Sequence, residues 1–246
     1  MASGAELPLP LLPHSKSFSA RILGVLLSPR ATFHAVARAP HWLGVLAFIW
    51  LLSAGVSAAV LETNVGRFAL LDRLERAAVA FGLYIDDSRY AAMGAASEHG
   101  SLYAVASTLA AGPLLAMGLS GLLFLALRPS ASTAVTHKQV LAVVAHAGVV
   151  LALRQVVAAP LTYARETLAS PLTLRLLFSG LDEASLPARF SSAIDLFVVW
   201  WIIVLATGMS VLYRRSARRL ALMFLGAYIA IAAILVVAMA LAGGTS

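Results

Sequence analysis

Five long apolar runs, separated by shorter polar segments, dominate the pattern of this sequence. Each run has about 20 residues or more, which is the length of helix that crosses the hydrocarbon core of a bilayer. Only two runs contain a charged side chain, Arg154 in the third and Asp195 in the fourth. The pattern predicts an all-α, polytopic membrane protein whose five transmembrane helices lie at residues 42–61, 101–127, 139–161, 191–213 and 220–243.

The charges between these runs alternate along the chain. The segments before the first run, between the second and third, and between the fourth and fifth together hold ten basic residues and one acid. The two other connecting segments, 62–100 and 162–190, together hold seven basic and nine acidic residues. Because loops rich in arginine and lysine stay in the cytoplasm, we expect a cytoplasmic N-terminus and a C-terminus outside.

The segment before the first span is amphipathic. Phe18, Ile22 and Val25 share one stripe of a helix that also carries basic residues, and such an element is expected to lie in the plane of the lipid headgroups. A second surface helix is expected after the first span. We therefore expect a disordered cytoplasmic N-terminus at residues 1–16 and one membrane domain over residues 17–243, with amphipathic interfacial helices beside its spans.

The composition excludes several classes of protein. Hydrophobic residues make up 61% of the 246 positions, against roughly 45–50% in soluble domains, and the mean hydropathy is +0.89. The net charge of +7 is not gathered in a basic domain with interleaved aromatic residues, so we expect the lipid bilayer and no nucleic acid as a partner. There is no cysteine and no pair of histidines four residues apart, and we expect no metal and no cofactor.

The two charged residues inside the apolar runs are candidates for an intramembrane polar pair. Arg154 and Asp195 are predicted at similar depth on antiparallel helices, and an unpaired arginine in a span is disfavoured by about 2.5–3.5 kcal/mol. A partner removes much of that cost. The pair is either a structural element or, together with His146, part of the polar path of a small channel or transporter. Two independently snorkelling side chains remain a third interpretation.

Ser120 lies in the tetrapeptide GLSG on the second span, and His146 lies near the middle of the third. The tetrapeptide resembles the GxSG serine of rhomboid intramembrane proteases, in which case His146 would be the base of a hydrolase dyad. The alternative is helix packing, because Gly112, Ala116 and Ser120 form a ridge of small residues that lets helices approach closely. On either interpretation Ser120 and His146 are candidate residues of a pathway or of the packing.

Several short motifs occur in an order that resembles one membrane-protein family. They are SPRATF at 28–33, ARAP at 37–40, QVLAVVAH at 139–146, PLTL at 171–174 and DLFVVW at 195–200. Their order and spacing resemble the bacterial members of the Yip family, the Ypt/Rab-interacting multispan membrane proteins. The resemblance implies a five-span bundle with a cytoplasmic N-terminus. The eukaryotic DLYGP signature is not present, so the resemblance gives no support to a Rab-type GTPase partner.

The resemblance also implies a class of partner, because some bacterial relatives are linked to export systems that include ABC transporters. We expect a non-catalytic scaffold or accessory protein that binds other integral membrane proteins, for example an ABC transporter permease, and we do not expect an enzyme. Arginine outnumbers lysine sixteen to two, which is typical of GC-rich bacterial genomes. The expected location is therefore a bacterial cytoplasmic (inner) membrane, with the oligomeric state left open.

Overall fold

The computed structural model describes residues 18–127, 134–168, 170, 172–178, 180 and 185–243. This part of the chain forms eleven α-helices, one short 3₁₀ helix at Leu174–Leu177 and no β-strand. The predicted disordered N-terminus at residues 1–16 lies outside the described residues, as does the end of the chain.

Five helical segments are long and apolar enough to cross a membrane, so the predicted all-α, five-span fold is confirmed. The third segment consists of two helices, α7 and α8, with a break between them. The segments are α3 at Leu43–Leu61, α6 at Gly100–Leu127, α7 at His137–Ala147 with α8 at Val149–Arg165, α10 at Leu196–Tyr213 and α11 at Ala217–Gly243.

The remaining helices lie at the two ends of the bundle. Helices α1 (Phe18–Leu27) and α2 (Pro29–Arg38) meet the start of α7, where the Gln139 side chain donates to the Ala37 carbonyl at 2.9 Å. Helices α4 (Asn64–Ala80), α5 (Asp87–Glu98) and α9 (Leu186–Ala193) lie at the opposite end, where Arg76 reaches Thr167 just beyond α8. We call these the α2 end and the α4 end.

Helix α2 inserts one face between α7 and α10. Phe33 is fully buried, and a side chain at Gly208 of α10 would meet the Phe33 ring at 3.1 Å and overlap Val143 of α7. Only a glycine lets the three helices approach this closely. The sequence predicted an amphipathic segment before the first span. Its apolar face packs inside the protein, and Arg30 and His34 are exposed on the other face of α2.

The third span is broken near its middle. Helix α7 ends at Ala147 and α8 begins at Val149, with Gly148 between them, and a Cβ at Gly148 would lie 3.2 Å from Ile49 on α3. Helix α6, by contrast, continues through Pro113 without a break. The close approach of α3 therefore coincides with the break.

The fourth span begins later than residue 191. Asp195 is the N-cap of α10, and its Oδ1 accepts hydrogen bonds from the Phe197 and Val198 backbone amides at 2.8 and 3.3 Å. An N-cap residue has non-helical backbone angles, so the helix begins at Leu196. The residues predicted as the first turn of this span belong instead to α9 and to the extended segment that follows it.

Candidate functional site

A polar network at the α4 end is centred on the Asp195 carboxylate. Its Oδ2 accepts from Arg154 Nε at 2.8 Å and from the Ser170 hydroxyl at 2.6 Å, and its Oδ1 accepts the two capping amides of α10. A carboxylate has about four lone-pair positions, and four donors occupy them here. The structure thus brings together Arg154 and Asp195, the two charges that the sequence places inside the spans.

The backbone around Asp195 is fixed as well. The segment before the 3₁₀ helix pairs with the residues before α10, since Leu174 N donates to Ile194 O at 2.8 Å and Leu196 N to Leu172 O at 3.0 Å. These hydrogen bonds join two of the family-like motifs, PLTL and DLFVVW, although Pro171 lies outside the described residues. The motifs therefore mark two parts of one structural unit.

Tyr228 ties the last span to this unit. The Asp195 backbone amide donates to the Tyr228 hydroxyl at 3.0 Å, and that hydroxyl donates to the Ala193 carbonyl at 3.0 Å. The network consequently contains side chains from α8, from the segment after α8, from the N-cap of α10 and from α11. We call Arg154, Ser170, Asp195 and Tyr228 the Asp195 hub.

The ion pair of the hub lies within the helical part of the bundle. Arg154 precedes the last residue of α8, Arg165, by eleven residues, which is about 16 Å of helical rise. The Asp195 side chain is 9% exposed and that of Arg154 is 30% exposed. Each charge therefore has a partner in surroundings where an unpaired one is strongly disfavoured.

The structure pairs Ser120 with a different histidine from the one considered for a dyad. The Ser120 hydroxyl lies 3.0 Å from His137 Nε2 and donates to the Met117 carbonyl at 2.9 Å. His146 is fully buried, and its Nδ1 lies 2.7 Å from the Ala142 carbonyl of its own helix. No hydrogen bond joins Ser120 to His146 among the described residues, so the dyad considered from the sequence is not assembled.

A cavity of about 950 Å³ opens at the α4 end between α3, α4, α6 and α8. Arg154 lines it, whereas Asp195 and His146 do not. The three residues considered for a polar path are thus not lined up along this cavity. Among the residues that the structure describes, no group of three or more histidines and acids is placed to hold a metal ion.

Comparison with known protein families matches residues 23–239 to the model of the Yip1 domain. The chain belongs to the Yip1 family. The match covers nearly the whole chain, from α1 into α11, so the Yip resemblance predicted from the short motifs is confirmed. No curated protein and no solved structure matches this Yip1-family chain. The family and the five long apolar helices together describe a multi-pass membrane protein in contact with the lipid bilayer.

Sequence reasoning missed three residues of this Yip1-family chain that the structure places in polar contacts. Ser170 and Tyr228 belong to the Asp195 hub, and His137 contacts Ser120. Ser170 had a usable signal, because a serine just before a proline is typical of a turn or cap. Tyr228 and His137 had none, since one aromatic residue in an apolar run and one histidine beside a basic loop are ordinary in membrane helices.

Proposed function

We propose that this Yip1-family chain is a non-catalytic membrane scaffold that binds another integral membrane protein along the exposed side of α6. The supporting observation is how little of α6 the bundle covers. Only 11% of its most apolar stretch is buried, against 61% for the third span. A 28-residue helix therefore offers nearly its whole length to lipid or to a partner helix.

The exposed side of α6 has a shape suited to helix packing. Leu114, Gly118, Leu122 and Leu125 follow one another along it, all exposed, and nothing lies within 4 Å of a Cβ built at Gly118. A small residue between large ones lets a second helix approach closely in a bilayer. We call these four residues the α6 surface.

The opposite side of α6 is used inside the bundle. Gly112 lies against the Trp50 indole of α3, Ala116 packs on the core and Ser120 is fully buried beside His137. The ridge of small residues considered from the sequence thus serves packing within the chain. The α6 surface is separate from that ridge and remains for a partner.

The polar residues support a non-catalytic role. The four acceptor positions of the Asp195 carboxylate are all taken by donors, and a gate or general base needs a position that can accept a proton or an ion. The Ser120 hydroxyl is within hydrogen-bond distance of the Met117 carbonyl as well as of His137, whereas the hydroxyl of an activated nucleophile donates to its base.

The partner proposed is a permease of an export system of the ABC type, and the membrane proposed is a bacterial cytoplasmic membrane with the α2 end inside. The described residues at the α2 end include Arg30 and Arg38 of α2, Lys138 of α7 and Arg214 at the end of α10, and no acid lies among the described residues of the segments that join the spans there. This favours the cytoplasmic side. A reporter fused after Ser246 and active only in the cytoplasm is expected to be silent. An active reporter would contradict this orientation.

Photo-crosslinking from the α6 surface tests the scaffold. A photoreactive amino acid at Leu122, which is 63% exposed, is expected to give a protein adduct in native membranes, and mass spectrometry of that adduct identifies the partner. The matched control is the next residue, Leu123, which is 7% exposed and is expected to give no adduct with another chain.

A second control changes the shape of the α6 surface rather than the position of the photoreactive group. Gly118→Leu fills the gap on the α6 surface without touching the bundle, since the position is open, and it is expected to reduce the Leu122 adduct while the protein stays folded. If Leu122 yields only lipid adducts, or if Gly118→Leu leaves the adduct unchanged, the α6 surface does not bind a partner helix.

A further inference from the structure

We propose that the cavity at the α4 end binds a phosphate group, carried either by a lipid or by the free anion. Cationic and aliphatic side chains meet in this cavity, and its volume of about 950 Å³ lies at the upper end of the usual range for ligand pockets. This site is distinct from the α6 surface and does not depend on it.

The charge of the lining is of one sign. Arg73, Arg76 and Arg154 line the cavity, and no aspartate or glutamate is among its lining residues. Arg76 pairs with Asp72 and Arg154 with Asp195, two carboxylates outside the lining. Arg73 makes no hydrogen bond or ion pair with any residue that the structure describes, so one uncompensated guanidinium remains for an anion.

Donors as well as charge remain available. Arg154 contacts Asp195 through Nε, and its two terminal amino groups have no hydrogen-bond partner among the described residues. The planar guanidinium presents paired N–H groups that match the spacing of phosphate oxygens. Gln155 and Tyr103 add uncharged polar groups to the lining. Arg154 thereby binds the hub with one side of its guanidinium and can bind a ligand with the other.

The apolar part of the lining indicates what kind of molecule carries the phosphate. Val56 and Val60 of α3, Leu70 of α4 and Ala158 of α8 line the cavity, and Ser107 of α6 lies seven residues inside its helix, about 10 Å by helical rise. Arginines beside aliphatic side chains at this depth suit an amphiphile whose charged head lies near the hydrocarbon boundary.

Binding to the purified full chain in an uncharged maltoside detergent tests this site, with three probes. They are short-chain phosphatidic acid, the matching diacylglycerol without phosphate, and inorganic phosphate. Phosphatidic acid is expected to bind more tightly than diacylglycerol. Arg73→Gln is expected to weaken that binding about tenfold or more, because a charge-assisted contact is lost. Arg189→Gln removes the same charge from an exposed residue of α9 outside the cavity and is expected to change affinity less than twofold.

The outcomes separate the two sources of the phosphate. Arg73-dependent binding of phosphatidic acid without binding of inorganic phosphate assigns the site to a lipid, and Arg73-dependent binding of both assigns it to the free anion as well. Equal affinity for phosphatidic acid and diacylglycerol overturns the proposal, as does an equal effect of Arg73→Gln and Arg189→Gln.

Ala158→Phe supplies an independent variant, because it fills the cavity while every arginine stays in place. It is expected to abolish binding of phosphatidic acid. Wild-type affinity in this variant would place the bound phosphate elsewhere and overturn the proposal. Should Arg73→Gln fail to fold, Arg73→Lys, which keeps the charge, and Ala158→Phe decide the question together.

Discussion

Replacing Asp195 by asparagine tests the energetic role of the hub most directly. The amide oxygen of asparagine can still cap α10, but its amide nitrogen then takes the place of Oδ2 and cannot accept from Arg154 or Ser170. The change therefore removes the charge that faces Arg154 together with these two hydrogen bonds. Breaking a buried ion pair by removing one partner costs about 3–5 kcal/mol. The Arg154 side chain is 30% exposed and so partly solvated, and we therefore expect Asp195→Asn to lower the free energy of unfolding by about 2–3 kcal/mol.

A matched change at a surface pair provides the comparison. Asp72 and Arg76 also form an ion pair at the α4 end, but their side chains are 44% and 58% exposed. Exposed pairs contribute about 0–1 kcal/mol, so Asp72→Asn is expected to lower the free energy of unfolding by less than about 1 kcal/mol. Because the same substitution is made in a buried pair and in an exposed pair, the difference between the two losses of unfolding free energy reports the effect of burial.

The measurement is equilibrium unfolding in mixed micelles of dodecyl sulfate and maltoside, followed by tryptophan fluorescence. The double variant Arg154→Met with Asp195→Asn is expected to recover part of the loss, because no charge is then left unpaired in the bundle. The reasoning is refuted if Asp195→Asn lowers the free energy of unfolding no more than Asp72→Asn does. It is also refuted if the double variant loses more free energy of unfolding than its two single changes lose together.

Two further predictions use the same purified protein. Phe33→Ala removes a fully buried ring between α7 and α10 and is expected to lower the free energy of unfolding by about 3–5 kcal/mol, whereas Phe68→Ala removes a ring that is 72% exposed and should cost far less. Asp86 caps α5, and the Arg89 amide and the Ser88 hydroxyl donate to its carboxylate and hold its pKa below the ordinary value. Because the folded-state pKa is the lower one, the cap stabilises α5 above the unfolded-state pKa and is lost as the pH falls through the folded-state value. Hydrogen exchange in the first turn of α5 should then approach that of Asp86→Ala.

The number of spans could be predicted from sequence because it depends on one quantity, the length of each uninterrupted apolar run. The ends and breaks of the spans depend on local hydrogen bonds and close contacts that hydropathy does not report. Residues 191–194 carry no charge and adjoin the apolar run, so hydropathy includes them in the span, yet the Asp195 cap places the start of α10 at Leu196. The break at Gly148 likewise coincides with the approach of Ile49 from another helix, a contact between residues far apart in the sequence.

The candidate site could be predicted in part for a similar reason. Two charges in otherwise uncharged runs are rare enough that Arg154 and Asp195 stood out, and the structure places them 2.8 Å apart. Ser120 was compared with His146 because both lie at similar depth, but depth along a span says nothing about rotation around the helix axis. His146 is directed to its own helix, and His137 contacts Ser120 instead.

Because Tyr228 belongs to α11, the hydrogen bonds of the segment before α10 are complete only when the last span is in place. The Ala193 carbonyl and the Asp195 amide are both bonded to the Tyr228 hydroxyl, and that hydroxyl enters the membrane only when α11 does. During synthesis the first four spans are inserted while these two backbone groups still lack their partner, and an unsatisfied backbone group in lipid is costly. Arrival of the C-terminal helix therefore completes the bundle, and in a chain cut short before Tyr228 these two backbone groups lose that hydrogen-bond partner.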